Sequence, residues 1–407
     1  MASVQVPWIV FAFSIVIVMV SFVSVFFPSL LLASNTVIIP GIDPITPDPY
    51  EIGPWASYII ISCVITLGLL YLYIKKKLPS PIHNILKRLY SLEVSKKKAT
   101  GIIIILLAIY AIGTAGELQQ EEDYNDYTKV KERLDVWSID QIPNSFEPHV
   151  RYFILASSMD IFGSYKIAPY LASIALLAMT YLLASQITQN RFAGIISTIL
   201  LMQSSVFLTY DTTVSYTNFW VLFYVTSLYM VSRFWPLSPV SYLVSLPAKA
   251  LTAAFLPMSI YFILRSQTPA RQRGITAGIT AGIIIIVGIM AATGADPTSG
   301  GEANIERFDA KEFWAGFASF SYQLRFDGII MLFCIPLIVG LFIASKNGIK
   351  HADSMMVLIA GIMLIAPLLT GFTNQTNQPY RFVPLAVFFA IGVGVLFSRV
   401  RGAEMSR

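Results

Sequence analysis

Runs of Ile, Leu, Val, Ala and Phe, each about the length of a bilayer crossing, alternate with short polar turns along nearly the whole chain. They predict helices over 7–33, 55–74, 99–115, 167–187, 192–208, 218–231, 275–292, 328–345, 354–369 and 382–397. The run 238–264 is too long for one tidy span and too short for two full ones. Pro247 and Lys249 stand in its middle, which predicts two short helices meeting at Lys249, since a lysine at membrane depth is costly. A short surface helix is expected over 309–322. The longest polar interval, from Glu117 to Asp160, breaks the pattern. Its first part crowds Glu117, Glu121, Glu122, Asp123, Asp126 and Glu132; its second part keeps Leu134, Val136, Trp137, Ile139 and Phe146, enough to fold against a membrane surface.

Composition turns this pattern into a class. Hydrophobic residues make up 56% of the chain, charged residues 13%, and the mean hydropathy is +0.68. A soluble domain carries roughly 25% charged residues, so this chain cannot cover itself for water. Lipid requires backbone pairing within helices or a closed barrel, and the runs have helical length. The expected fold is an all-α, polytopic integral membrane protein of about eleven to thirteen crossings, with short surface helices on an outer loop. The first run lacks a basic leader and is too long for a signal-peptide core, so it reads as a retained helix. Cys63 and Cys334 sit in apolar runs, and His83, His149 and His351 are scattered; neither set makes a disulfide framework or a ligand cluster.

Charge sets the topology. Lys75, Lys76, Lys77, Lys87, Arg88, Lys96, Lys97 and Lys98 face a single Glu93, which places this segment in the cytoplasm. It also suits anionic headgroups, though topology alone explains it. The loop 34–53 carries acids and no Lys or Arg, so it is outside. Arg191, Arg233, Arg265, Arg271, Arg273, Lys346, Lys350, Arg399 and Arg401 then all fall inside, with both termini cytoplasmic and the protein multi-pass in the cell membrane. A single crossing at 238–264 would reverse everything downstream. The net charge of +5 is accounted for in this way and calls for no nucleic acid. The chain divides into two N-terminal spans with a basic loop (1–98), a membrane domain (99–399) whose large outer loop is 116–165, and a short tail (400–407), with no soluble domain following. Asn374-Gln375-Thr376 is a glycosylation sequon on an expected outer loop and serves as a topology probe.

On this topology the outer polar residues converge from several segments: Asp123 and Asp126, Asp211, Lys249 and Arg381. There is no HExxH, P-loop, dinucleotide fingerprint or Ser-His-Asp arrangement. Carboxylates with cations at a membrane–water boundary suit a lipid-linked phosphate donor. A carboxylate holds a divalent metal or takes the proton of an acceptor hydroxyl, and an Arg or Lys grips phosphate. Each residue also has a plain reading: a solvated acidic loop, Arg381 as an interface anchor, Lys249 as a snorkelling residue, Asp211 as an N-cap.

The order of these elements resembles the GT-C superfamily of multi-pass glycosyltransferases, which includes the protein O-mannosyltransferases and aminoarabinose transferases. Its first outer loop opens with an acidic motif close to Asp-Glu-x-x-Tyr. Here Asp123-Tyr124-Asn125-Asp126-Tyr127 matches the Asp and the Tyr, while Tyr124 replaces the second acid. Phe146-Glu147-Pro148-His149, then Phe162-Gly163-Ser164-Tyr165-Lys166, resemble the Pro/His segment and the Phe-Gly with a basic residue before the next helix. Tyr181 to Ser185 and Arg191 to Gly194 resemble the following helix and its Ala/Gly-led successor. The segment around Lys249 is similar to the family's broken helix pair, and Pro379-Tyr380-Arg381-Phe382-Val383-Pro384 to its last outer turn, with Phe382 for Tyr. The resemblance spans about 99–399.

It implies transfer of a sugar from a polyprenyl-phosphate donor to a protein or lipid acceptor on the outer face. Asp123 is then the catalytic carboxylate, as base or metal ligand, with Asp126 an alternative that compensates for the missing second acid. Arg381, with Lys249, holds the donor phosphate; Tyr127, His149, Asp211 and Lys166 complete the substrate site. A divalent metal, Mg or Mn, is left open, with Asp123 and Asp126 as its ligands if present. Two other classes stay in play. A transporter or flippase predicts ionisable residues within helix centres and paired broken helices. A non-catalytic subunit of a membrane complex, or an inactive relative, is consistent with Tyr124.

Overall fold

The computed structural model describes residues 2–30, 48–123, 125–136, 149–294, 307–323, 327–372 and 379–398. Helices account for all regular structure among them, as the apolar runs predict, and the protein is an all-α polytopic membrane protein. The chain forms two compact units, Met1–Ser91 with Glu302–Gly392, and Leu92–Gly301 with Val393–Arg407. The expectations at Tyr124, 137–148 and the sequon at Asn374 lie outside the described residues, as does the side chain of His149.

In the first unit, α1 (Ala2–Phe26) and α2 (Ala56–Ile74) are apolar over their whole length, and α3 (Ser80–Ser91) is amphipathic with no buried residue. The second unit opens with α4 (Lys96–Thr114), capped by the Ser95 hydroxyl and extended by a 3-10 turn, Ala115–Gln119. Then come α5 (Asn125–Val136), α6 (His149–Phe162), α7 (Ile167–Thr188), α8 (Arg191–Met202), α9 (Ser205–Thr209), α10 (Phe219–Arg233), α11 (Leu237–Ala248), α12 (Leu256–Arg265) and α13 (Ala270–Gly294). The chain returns to the first unit with α14 (Ala310–Gln323), α15 (Gly328–Lys346), α16 (Lys350–Phe372) and α17 (Val383–Leu396) up to Gly392. There α1 packs on α14, α15 and α16, and α2 packs on α15, where the Ser62 hydroxyl donates to Leu332 O at 2.8 Å.

Seven of the described helices are long and apolar enough to cross a bilayer. The expected eleven to thirteen crossings also counted shorter apolar stretches, and two of these are interrupted. The run 192–208 is not one helix: α8 stops at Met202 and Ser204 caps α9, accepting from Phe207 N at 3.2 Å. The run 238–264 breaks at Lys249, as Pro247 and Lys249 predict. Lys249 is extended (φ −162°) between α11 and a 3-10 turn, Ala250–Phe255.

Small residues let the helices of the second unit approach closely. A Cβ on Gly194 would meet Ser185 Oγ at 2.0 Å and Tyr181 O at 2.7 Å, which fixes α8 against α7. At the end of α17, a Cβ on Gly394 would meet Ser197 Oγ at 2.2 Å. The turn from α7 to α8 needs left-handed backbone at Gln189 (φ 54°), and Asn190 then caps α8 by accepting from Phe192 N at 3.0 Å.

Candidate functional site

The span of α4 ends in the 3-10 turn Ala115–Gln119, closed by Gln120 N donating to Glu117 O at 3.2 Å, and the carbonyls at a helix end call for a further partner. Lys166, at the N-terminal edge of α7 and only 7% exposed, supplies one: its Nζ donates to Glu117 O at 3.0 Å and to Gln120 O. A cation at a helix C-terminus also complements the dipole. From this fixed point the chain runs out through Glu121, Glu122 and Asp123 to α5. These acids form one wall of an open depression of about 400 Å3. Lys166 and the hydroxyl-bearing Thr209, Thr212 and Thr213 line the rest, so the depression sits between α4, α7 and the segment joining α9 to α10.

That joining segment, 210–218, is almost wholly buried although it has no regular structure. Buried loop backbone needs partners, and the acidic stretch and Arg151 supply several of them. Glu122 accepts from Val214 N, from Ser215 N at 3.2 Å and from the Ser215 hydroxyl at 2.8 Å. Arg151 on α6 donates to the carbonyls of Val214 at 3.1 Å and Ser215 at 2.5 Å. Tyr216 donates its hydroxyl to Asp126 Oδ2 at 2.8 Å, and Thr212 donates to Glu117 Oε2 at 3.1 Å. Asn218 closes the segment by donating to Tyr210 O at 3.1 Å.

Asp211 is buried, at 1% exposure. Its Oδ2 accepts from the Tyr110 hydroxyl of α4 at 2.6 Å and its backbone carbonyl from Ser173 at 2.7 Å. Burial pushes its carboxyl up to about 7; the Tyr110 hydrogen bond opposes this and the neighbouring Glu117 carboxyl adds to it. Asp211 is not the N-cap of α10 that its position suggests. Asn218 holds that place, and the Asp211 side chain turns to α4 instead.

The structure therefore sorts the expected site residues. Asp123, Lys166 and the Glu117 neighbour of Asp211 meet at or beside one depression, and Asp126 and Tyr127 occupy the first turn of α5 next to it. Asp126 is held by Tyr216. Tyr127 is half-buried, and burial, then Glu122 and Glu121, raise its hydroxyl. Lys249 sits at the end of α11 and is not among the described residues lining the depression. Arg381 belongs to the first unit, on the 3-10 turn Pro379–Phe382, with its guanidinium over the Tyr380 ring at 5.8 Å.

Glu117 and Glu122 were visible in the sequence only as members of an acidic run, and Arg151 as a cation beside His149. Tyr110 and Tyr216 carried no signal. Among the described residues no three of His, Cys, Asp or Glu stand together as a metal site, and Asp126 is already engaged. The donor set among the described residues does not fit a resident divalent ion.

No donor among the described residues reaches the exposed Asp123 carboxylate, in contrast to Glu122 three donors deep in the loop. No family model, no curated protein and no solved structure matches this chain.

Proposed function

We propose that the protein is a glycosyltransferase that moves a sugar from a polyprenyl-phosphate donor to a hydroxyl of a protein or lipid acceptor on the outer face of the cell membrane. One observation carries the reading. Asp123 is an exposed carboxylate in the wall of a depression at the end of a membrane span, while its neighbours Glu122 and Asp126 are occupied in holding the loop. In this reading the acceptor oxygen attacks the anomeric carbon and the carbon–oxygen bond to the phosphate breaks. Asp123 takes the acceptor proton, and the polyprenyl phosphate leaves with the electron pair. Lys166, the one cation among the described lining residues, faces the departing phosphate with the N–H that its two carbonyl partners do not use. The donor's prenyl chain lies among the apolar helices.

The test is transfer from polyprenyl-phosphate sugars in proteoliposomes. Asp123→Asn is expected to lower the rate by about 100-fold or more, the usual weight of a positioned base, and Lys97→Gln to leave it unchanged. Full activity in Asp123→Asn overturns the assignment. A proton-coupled transporter is favoured by a different observation, the buried acid Asp211 beside Glu117. Solute uptake that follows an imposed pH gradient, without any sugar transfer, would establish that reading instead.

A further inference from the structure

Asp211 Oδ1 is a buried carboxylate oxygen with no hydrogen-bond partner among the described residues. Such an atom is expensive to leave unpaired. Its sister oxygen is held at 2.6 Å by Tyr110, so the side chain cannot swing out to find water. Besides Tyr110, the Thr212 backbone N–H donates to the Asp211 carboxylate and favours its ionised form. The other side chain within reach is Glu117, another carboxyl, and two ionised carboxylates have nothing to donate to each other. One proton placed between them removes both problems, satisfying Oδ1 and cancelling one of two facing charges. Glu117 is half-buried and also lines the depression, so it connects the buried acid to the open space.

We propose that Glu117 and Asp211 form a proton-binding site, in which the pair holds a single exchangeable proton loaded from the depression through Glu117. This holds whether or not the protein transfers sugars.

The surroundings agree. From α4, Tyr110 donates to Asp211; from α7, Tyr170 donates its hydroxyl to Ala111 O at 2.6 Å, and Lys166 gives two of its donors to backbone carbonyls and none to either carboxylate. Glu122 and Arg151 are turned onto the backbone of Val214 and Ser215. None of these bonds brings a cation onto the pair, and burial lifts the Asp211 carboxyl to about 7. The sign follows. Below that value the proton is bound and the pair carries one charge; as pH rises through it the proton leaves, and a buried second charge appears.

Infrared difference spectroscopy on the full chain in lipid nanodiscs, titrated from about pH 5 to about pH 9, reads this proton directly. The carbonyl band of a protonated carboxyl should vanish with a midpoint near pH 7 and be absent in Asp211→Asn. Glu117→Gln removes a repelling charge and presents an amide donor to Oδ1, so it should lower the midpoint by more than about one pH unit. Tyr110→Phe removes the donor that favours ionised Asp211, so it should raise the midpoint. These opposite shifts keep the idea testable if Asp211→Asn fails to fold. A band that survives in Asp211→Asn, a wild-type protein with no such band near pH 6, or a midpoint indifferent to Glu117→Gln would each overturn the proposal.

Discussion

Two stretches of this chain are dense in charge, and the structure uses them in opposite ways. The basic one, from Lys75 to Lys98, is built around α3, which buries none of its residues. The contacts of Lys75, His83 and Ser95 are local: Lys75 lies over the Tyr71 ring at 5.9 Å, His83 stacks on Tyr73, and Ser95 caps its own helix, while Val94, just before it, accepts a longer-range bond from Arg191 at 3.4 Å. The acidic one, from Glu117 to Asp126, reaches about ninety residues along the chain to a buried loop, where Glu122 accepts the backbone N–H groups of Val214 and Ser215. Charge density is the same signal in both. Only the partner distinguishes a solvated face from a built structure, and within the built structure it separates the acids that are engaged from Asp123, which is not.

The sharpest way to break that contrast is to remove an engaged acid. Glu122→Ala leaves two backbone N–H groups and a hydroxyl of the 210–218 segment without their acceptor. Losing charge-assisted bonds at a half-buried site costs about 2–3 kcal/mol. Thermal unfolding in detergent should show this loss, together with proteolytic cleavage within 210–218. Glu122→Gln, which keeps one acceptor oxygen, should lose about half as much. If Glu122→Ala unfolds no more readily than a lysine substitution in α3, the two stretches are alike and the contrast fails.

Tyr216→Phe is a smaller step in the same direction. It removes one hydroxyl from Asp126 and leaves the ring packed edge-on against Tyr210, so about 1 kcal/mol is expected in the same unfolding assay. Asp126 then becomes a second unoccupied carboxylate beside Asp123, and transfer activity should survive, since in the proposed chemistry Asp126 holds the loop.

These effects also mark where sequence reading stops. Apolar runs locate α2, α7, α15 and α17 to within a few residues, because a bilayer crossing needs a fixed length of apolar helix and nothing else in the chain supplies one. Pro247 and Lys249 locate the break before α12 by the cost of a lysine at depth. The break between α8 and α9 escapes, because Gln203 and Ser204 are tolerated inside a helix and only their packing makes Ser204 a cap. α3 escapes for another reason. Its apolar Ile82, Ile85 and Leu89 have helical spacing, but eight basic residues around them draw the eye to topology. At the site, the acids are legible as a group and their roles are not. Glu122 and Asp123 are adjacent and chemically alike, and Val214 and Ser215 decide which of them is spoken for.

The smallest effect has the opposite sign and comes from the basic stretch. α2 ends in a turn where Lys77 N donates to Leu72 O at 2.9 Å and Lys76 N to Tyr73 O at 3.0 Å, the paired bonds of a Schellman motif. That motif puts Lys76 in left-handed backbone, at φ 56°, a conformation that costs a residue with a Cβ about 1 kcal/mol and costs glycine almost nothing. Lys76→Gly should therefore raise stability by about 0.5–1 kcal/mol, less whatever the looser unfolded chain gives back. Lys76→Ala removes the same charge but keeps the Cβ, and should change nothing. If alanine stabilises as much as glycine, relief of charge crowding is the cause, and the basic stretch is an electrostatic unit after all. If glycine alone stabilises, what matters at Lys76 is the backbone it sits on, and its charge serves the solvent and the membrane rather than the fold.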